Sequence, residues 1–388
     1  MTGSLFSTLT CTQCLSEFSI HETHSFCQHC NQPLVASYEL TKCTTEQIID
    51  FSISSMWRYK RVLPVLNEKN IVSLGEGNTP LLPLIKSSSF WGVRNLWLKE
   101  EAGNPTGSFK ARGMSMAVSK AREWGISAFC APTAGNAGSA LAAYAAATGA
   151  EAHIYMPMAT PEAFRMDCTV MGARVVEVDG SIRDAGIAMQ KENADGKWWD
   201  ISTLKEPFRL EGKKTLGYEL AEQLGWCLPD VILYPTGGGT GLIGIWKAFR
   251  EMQQMGWITE IPTRMIAIQT QGCRPVVDAF EAGADHCKLF ESPAETIANG
   301  LRVPKPFGDK MIMKVLNESH GAALAVSEKD MLESMRAFAG REGIFLSPEG
   351  AALAAAVPML KDKNLIYDSD RIVLINTGSP YKYLENLT

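Results

Sequence analysis

No stretch of the chain holds the about 20 consecutive apolar residues that a membrane-spanning helix needs. The longest weakly polar run, Gly138 to Ala150, is rich in alanine, is interrupted by Tyr144 and Thr148, and reads as a buried helix. The beginning, MTGSLFSTLT, lacks a cationic start and an apolar core, so no secretory signal is expected and a cytoplasmic address follows. Lysine and arginine never gather into a basic block: 37 basic side chains face 42 acidic ones, for a net charge of -5. Without such a block there is no dense contact with phosphates, so nucleic acid is not the expected partner. A pattern of paired cysteines is missing as well. Cys43, Cys130, Cys168, Cys227, Cys273 and Cys287 are scattered, as expected for reduced thiols. At 388 residues, with 46% hydrophobic side chains, the chain is long and apolar enough for two or three domains with cores of their own. A small disulfide-stapled fold and a disordered chain are both excluded.

The first 38 residues stand apart. Cys11-Thr-Gln-Cys14 and Cys27-Gln-His-Cys30 are two CxxC knuckles in zinc-ribbon spacing, followed by the turn signal Asn31-Gln-Pro33. A tight turn between paired cysteines aims both sulfurs at one tetrahedral centre, so Cys11, Cys14, Cys27 and Cys30 are candidate zinc ligands. Four such ligands close the shell and make the metal structural. The alternative is a ribbon that keeps its fold without metal, or one in which His21, His24 or His29 replaces a thiolate.

From Ile71 onward, short apolar runs alternate with helical patterns. Strands are expected at 152–156, 173–178, 230–234, 264–269 and 371–375, and helices at 161–171, 217–224 and 350–360. Strands separated by helices imply crossover connections and parallel sheets, so the class is α/β.

Three loops in this body carry candidate chemistry. Pro235-Thr-Gly-Gly-Gly-Thr-Gly241 follows a strand and precedes an apolar helical run from Leu242 to Met252. Its glycines let backbone N–H groups converge on a phosphate at a helix N-terminus. The spacing is neither GxGxxG nor GxxxxGK, which disfavours a dinucleotide fold and a Walker loop. Thr133-Ala134-Gly135-Asn136-Ala137-Gly-Ser139 sits in the same strand-to-helix context, where exposed N–H groups suit a carboxylate and the Asn136 amide a ring hydroxyl. In Asn104-Pro-Thr-Gly-Ser108-Phe-Lys110-Ala-Arg112-Gly, Lys110 follows a Pro/Gly turn, with Ser108 as the expected helix cap and an apolar helical pattern from Met114 to Trp124. A lysine held at the end of an element, beside a phosphate cradle and without metal ligands in the body, suggests a Schiff base to pyridoxal phosphate.

Taken in order, NPTGSFKARG, TAGNAGSALAAYAA, PTGGGTG and INTGSPYKY resemble the threonine synthase family among the fold-type II pyridoxal-phosphate enzymes, over about Ser73 to the C-terminus. An N-terminal ribbon and GEGNTPL at Gly75 to Leu81 also occur in that family. The resemblance implies two open parallel-sheet α/β domains: a large cofactor-binding domain at 39–114 and 206–388, and a small mobile domain at 115–205 that closes over substrate. It further implies that Lys110 bonds to the cofactor, that Asn136 meets its ring oxygen, that Gly237, Gly238, Gly239, Thr240 and Gly241 take its phosphate, and that Thr377 meets its ring nitrogen. Thr133, Ala134, Gly135 and Ala137, with Ser202 and Arg209, would then bind an amino-acid substrate, Arg209 gripping a phosphate. The implied reaction converts O-phospho-L-homoserine and water to L-threonine and phosphate in a homodimer.

Ala111 stands where such enzymes commonly carry Asp, Gly378-Ser379-Pro380 where they carry Gly-His-Gly, and no asparagine is evident near Ser202. These departures leave a threonine dehydratase-like or cysteate synthase-like reaction as the alternative.

Overall fold

The computed structural model describes residues 3–291 and 296–386. The chain divides into two compact units: residues 1–78, 104–215 and 254–257 form the first, and residues 79–103, 216–253 and 258–388 the second. The first unit therefore takes in segments 39–78, 104–114 and 206–215 along with the ribbon and the expected small domain.

The first unit holds two sheets. The ribbon is an antiparallel sheet with Phe6–Cys11 between Glu17–Phe18 and Leu34–Tyr38, and its knuckles hang on these strands. Leu9 and Ala36 of the ribbon join Met114, Met116 and Leu141 of the unit's helices in one apolar core. A polar tie reinforces the packing: the Tyr38 hydroxyl donates to Glu211 Oε2 at 2.7 Å, and the same carboxylate pairs with buried Lys214 at 2.7 Å.

The second sheet of this unit is wholly parallel, in the order Arg174–Val178, Glu151–Pro157, Ala128–Pro132, Trp199–Asp200. Its runs are apolar because helices flank them. From Ala128–Pro132 the chain steps outward through two strands and then returns to the other side at Trp199–Asp200. That reversal is a switch point, where parallel α/β sheets open a crevice at the carboxyl ends of their strands. The segments leaving these two neighbouring strands are Thr133–Asn136 and Ile201–Ser202.

The second unit repeats the design. Its sheet runs Ala322–Val326, Arg264–Thr270, Val231–Pro235, Arg371–Asn376, Asn95–Glu100, Leu81–Pro83, parallel except for the last, antiparallel edge. Val231 pairs with Arg264 on one side and with Ile372 on the other, so the chain reverses between Val231–Pro235 and Arg371–Asn376. The triple-glycine loop and Thr377 leave these two neighbouring strands at their carboxyl ends. Helices Thr240–Gln254 and Pro348–Asp362 follow the expected patterns, the latter supplying an alanine-rich face to the core. The helix expected from Gly217 starts nine residues earlier, as Phe208–Gln223, because buried Glu206 caps it by accepting from the Phe208 and Arg209 amides at 2.7 and 3.0 Å.

Candidate active site

In the first unit, Lys110 is half-buried and opens the helix Lys110–Glu123. The turn before it places Thr106 and Gly107 at φ 58 and 66, in the left-handed region. It is anchored by Asn104, whose Oδ1 accepts from the Gly77 amide at 2.9 Å. Ser108 does not cap the helix: Phe109 already has helical angles and is the N-cap, and the Ala111 amide bonds the Ser108 carbonyl at 3.2 Å. The extended backbone at Ser108 ends one residue too early for capping, and its buried Oγ has no hydrogen-bond partner in the protein.

The Lys110 helix meets the helix that carries Arg209 backbone to backbone. A methyl group on Gly113 would lie 2.9 Å from the Arg209 carbonyl oxygen, and one on Gly212 would overlap the Arg112 carbonyl. Small residues at the crossing are therefore a steric requirement. The close approach brings two amines to one ring: Lys110 Nζ lies 4.5 Å from the centroid of Phe109, and Lys213 Nζ lies 5.1 Å from it. Lys213 is fully buried. Burial first, then the charges of Lys110 and Arg209, hold its amine well below the ordinary lysine range.

Arg209 is only 2% exposed, so it is not a solvated cation on a helix face. Its Nη1 donates to the Ile201 carbonyl at 2.7 Å, while Nε and Nη2 are buried and make no hydrogen bond within the protein. Two adjacent unspent donors on a planar guanidinium form the fork that fits a phosphate or carboxylate. The nearby Glu206 carboxyl is raised by burial to about 7, so it only partly offsets the cation at neutral pH. Ser202 is placed beside this group, yet its hydroxyl donates to Asp200, which also accepts the Ser202 amide at 2.9 Å.

At the switch point of the same unit, the helix Asn136–Thr148 starts directly after Gly135. The Gly138 amide bonds the Gly135 carbonyl at 2.9 Å, and the amides of this first turn sit at the positive end of the helix dipole. Thr133 shapes the loop by accepting the Gly135 amide at 3.2 Å, and the Phe164 ring lies 3.5 Å from where a Gly135 side chain would begin. Asn136 Oδ1 and Ser139 Oγ are buried without hydrogen-bond partners. Unsatisfied buried polar atoms cost about 1–3 kcal/mol each, so their concentration here marks a place built for a polar guest.

The second unit carries the triple-glycine loop. A side chain on Gly237 would overlap the Gly300 carbonyl, one on Gly239 would overlap Ile312, and one on Gly241 would overlap the Tyr234 hydroxyl. Gly239 also sits at φ 71. The loop is held from behind by Gln269, which donates to the Thr236 carbonyl at 2.9 Å and accepts the Val276 amide at 2.9 Å. Glu349 accepts the Gly300 amide at 2.9 Å and the Tyr383 hydroxyl at 3.0 Å, fixing the strip of backbone against Gly237. The loop delivers its amides to the start of helix Thr240–Gln254, a cradle suited to a phosphate. Thr377 is 6% exposed at the end of the neighbouring strand. The residues of the triple-glycine loop thus fit the phosphate of a phosphorylated cofactor, since side chains on its glycines would fill the cradle.

The four ribbon cysteines also converge. All are free thiols, their sulfurs lie within 4.8 Å of one another, and the closest approaches are 3.4, 3.5 and 3.6 Å. A tetrahedral zinc with Zn–S bonds of about 2.3 Å needs sulfurs about 3.8 Å apart, so the cluster fits the ion. The Gln13 and Cys14 amides point at Cys11 Sγ at 3.4 and 3.5 Å, and no histidine belongs to the cluster.

Sequence reasoning missed Lys213, Glu206, Gln269 and Glu349. For Lys213 a signal existed: it stands four residues after Arg209, on the same face of a helix. Gln269 and Glu349 act through backbone contacts that no spacing announces.

Residues 72–378 match the pyridoxal-phosphate dependent enzyme family. The chain is 34% identical to the threonine synthase of Methanocaldococcus jannaschii over 96% of its own length and 92% of that protein. It is 32% identical to the threonine synthase of Halalkalibacterium halodurans over 84% of its length and 90% of that protein. Maize serine racemase shares the fold with a TM-score of 0.68 at 22% identity, covering 79% of this chain and 93% of that one.

Proposed function

The chain belongs to the pyridoxal-phosphate dependent enzymes and, within them, to the threonine synthases, and on that premise we propose that it converts O-phospho-L-homoserine and water to L-threonine and phosphate. The observation that carries the reading is a 34% identity to a threonine synthase extending over 96% of the chain. Buried Arg209, with two unspent donors, supports it from the side of the substrate. Nothing at the site favours ammonia loss or replacement by another nucleophile.

Pyridoxal phosphate, when bound, withdraws electrons from the α-carbon of an amino acid joined to it. The chain's residues supply the rest. Lys110 would be the attachment point and, once released, its Nζ would take the α-proton and return protons as phosphate leaves. Gly237 to Gly241 would hold the cofactor phosphate by backbone amides and helix dipole, a grip that needs no charged side chain. Asn136 would orient the ring oxygen. Thr377 would face the ring nitrogen, and a neutral hydroxyl there cannot hold that nitrogen protonated as a carboxylate would. The amides of Thr133, Ala134, Gly135 and Ala137 would take the substrate carboxylate, and Arg209 with Ser202 its phosphate. Cys11, Cys14, Cys27 and Cys30 would hold a structural zinc ion. A cytoplasmic homodimer is the expected assembly.

The test is incubation of the holoenzyme with O-phosphohomoserine, O-acetylserine, threonine and phosphoserine in separate assays, measuring phosphate, ammonia and threonine. The reading expects equimolar phosphate and threonine from the first substrate. Phosphate released without threonine would overturn the synthase assignment and leave elimination standing.

A further inference from the structure

The strand Arg371–Asn376 is apolar up to its last residue. Ile372, Val373, Leu374 and Ile375 are fully buried, and Asn376, buried to the same degree, breaks the run with an amide. Another aliphatic side chain would cost less there, because a primary amide leaves water at a penalty that only hydrogen bonds offset. An amide carries two donor hydrogens and two acceptor positions, and in Asn376 all four are used. Its Nδ2 donates to Glu100 Oε1 at 2.8 Å and to Oε2 at 3.0 Å, while its Oδ1 accepts the Ser347 amide at 3.2 Å and the Ser347 hydroxyl at 2.9 Å.

Three element ends meet at this side chain. Glu100 closes the strand Asn95–Glu100 in register with Asn376, and its Oε1 also accepts the Ala102 amide at 2.9 Å. Ser347 is the N-cap of helix Pro348–Asp362, its Oγ accepting the Gly350 amide at 3.1 Å. A side chain on Gly350 would overlap Asn376 Oδ1, so the helix carries a glycine where the amide enters. Exchanging the oxygen and nitrogen of the amide would set donor against donor at Ser347 and acceptor against acceptor at Glu100, so one orientation alone is satisfied. A buried amide near the end of another strand of this sheet, Gln269, holds the triple-glycine loop by the same means. Asn376 is bonded directly to Thr377.

We propose that Asn376, clamped between Glu100 and Ser347, is a positioning residue that fixes the Thr377 hydroxyl against the ring nitrogen of the cofactor. The proposal rests on the assignment of Thr377 to that nitrogen and adds what holds it there. Asn376 acts through the backbone: with its side chain locked at both ends, the chain leaves the strand in one direction, and the next residue inherits it. A hydroxyl hydrogen bond tolerates only a narrow range of distance and angle, so a loosened strand end would weaken the contact without unfolding the sheet.

The test uses holoenzyme carrying Asn376→Asp, Asn376→Leu, Glu100→Gln, or Asn376→Asp together with Glu100→Gln, each checked for a cooperative thermal transition. Equilibrium dialysis gives the cofactor Kd, the absorbance band of the bound cofactor reports on its ring, and turnover is measured with O-phosphohomoserine. Asp at 376 sets two carboxylates face to face, and the expected result is a shifted band with kcat lowered about tenfold and KM changed by less than about twofold. Leu fills the space without a charge and should act in the same direction, so it keeps the question decidable if the Asp variant does not fold. Glu100→Gln alone keeps an oxygen for the Asn376 amide and should lie nearer the parent. The double variant again sets one amide against one carboxylate, with donor and acceptor exchanged, and should recover kcat and Kd to within about threefold of the parent. A residue needed only for packing would lower the thermal midpoint and leave the band, Kd and kcat of the folded protein unchanged. That result, or a folded double variant no better than Asn376→Asp, overturns the proposal. Thr377→Val tests the assignment underneath. If it leaves the band and kcat unchanged, Thr377 does not serve the ring nitrogen and both statements fall; if it shifts the band while folded Asn376 variants match the parent, the positioning role alone falls.

Discussion

The chain prepares for anions in two contrasting ways. In the second unit the triple-glycine loop offers backbone amides, the dipole of helix Thr240–Gln254 and close steric walls. In the first unit Arg209 offers a buried guanidinium with two donors that no protein group takes, moderated by Glu206. The difference matches two tasks. A cradle of fixed dipoles is built by the fold itself and suits a group that stays through many turnovers. A buried guanidinium with unspent donors gains most from a guest that carries charge. Shape therefore governs the first site and charge the second.

The largest expected effect comes from removing the lysine proposed to hold the cofactor. Lys110→Ala should reduce turnover by at least about 10³-fold and abolish the yellow colour of the holoenzyme, measured by steady-state assay and absorbance. Retained activity would transfer the role to another lysine. Next comes the shape-governed site. Gly239→Ala adds a side chain where Ile312 already sits and strains a backbone at φ 71, so cofactor affinity should fall roughly tenfold to a hundredfold in equilibrium dialysis. The response of the charge-governed site should be to pH instead. The Glu206 carboxyl, raised by burial to about 7, is neutral below that value and adds negative charge beside Arg209 above it. Sulfate, whose own charge does not change in this range, should therefore bind more weakly as pH rises from 6 to 8, and Glu206→Gln should flatten that slope. If the ribbon cysteines hold zinc as proposed, its chelation should lower the thermal midpoint, through loss of the support that Tyr38 gives at Glu211, while changing turnover at 25 °C by less than about twofold.

Much of the architecture was legible because parallel strands covered on both faces read as short apolar runs, as in 230–234, 264–269 and 371–375. The strand Trp199–Asp200 escaped notice because two residues carry no periodicity, although it is what brings Ile201 and Ser202 beside the Thr133 loop. Gly212 and Gly217 disguised the first turns of helix Phe208–Gln223, since a glycine needed for close helix contact looks the same in sequence as a glycine that ends a helix. The two glycine-bearing loops were legible as strand-to-helix turns through their glycines. Lys213 was hidden in a Lys-Lys pair that resembles an ordinary solvated surface, and only three-dimensional burial separates it from that reading. Ser108 erred the other way: Ser before a helical pattern signals a cap, but here the helix begins one residue later and the hydroxyl is left without a partner.

The central claim is that Lys110 carries the cofactor. Borohydride reduction of the holoenzyme, followed by digestion and peptide mass spectrometry, locates the attachment directly. The account predicts one pyridoxyl-phosphate mass increment, on the peptide that contains Lys110. An increment on Lys213, Lys99 or any other lysine in its place, or no increment from a holoenzyme that makes threonine, would contradict it.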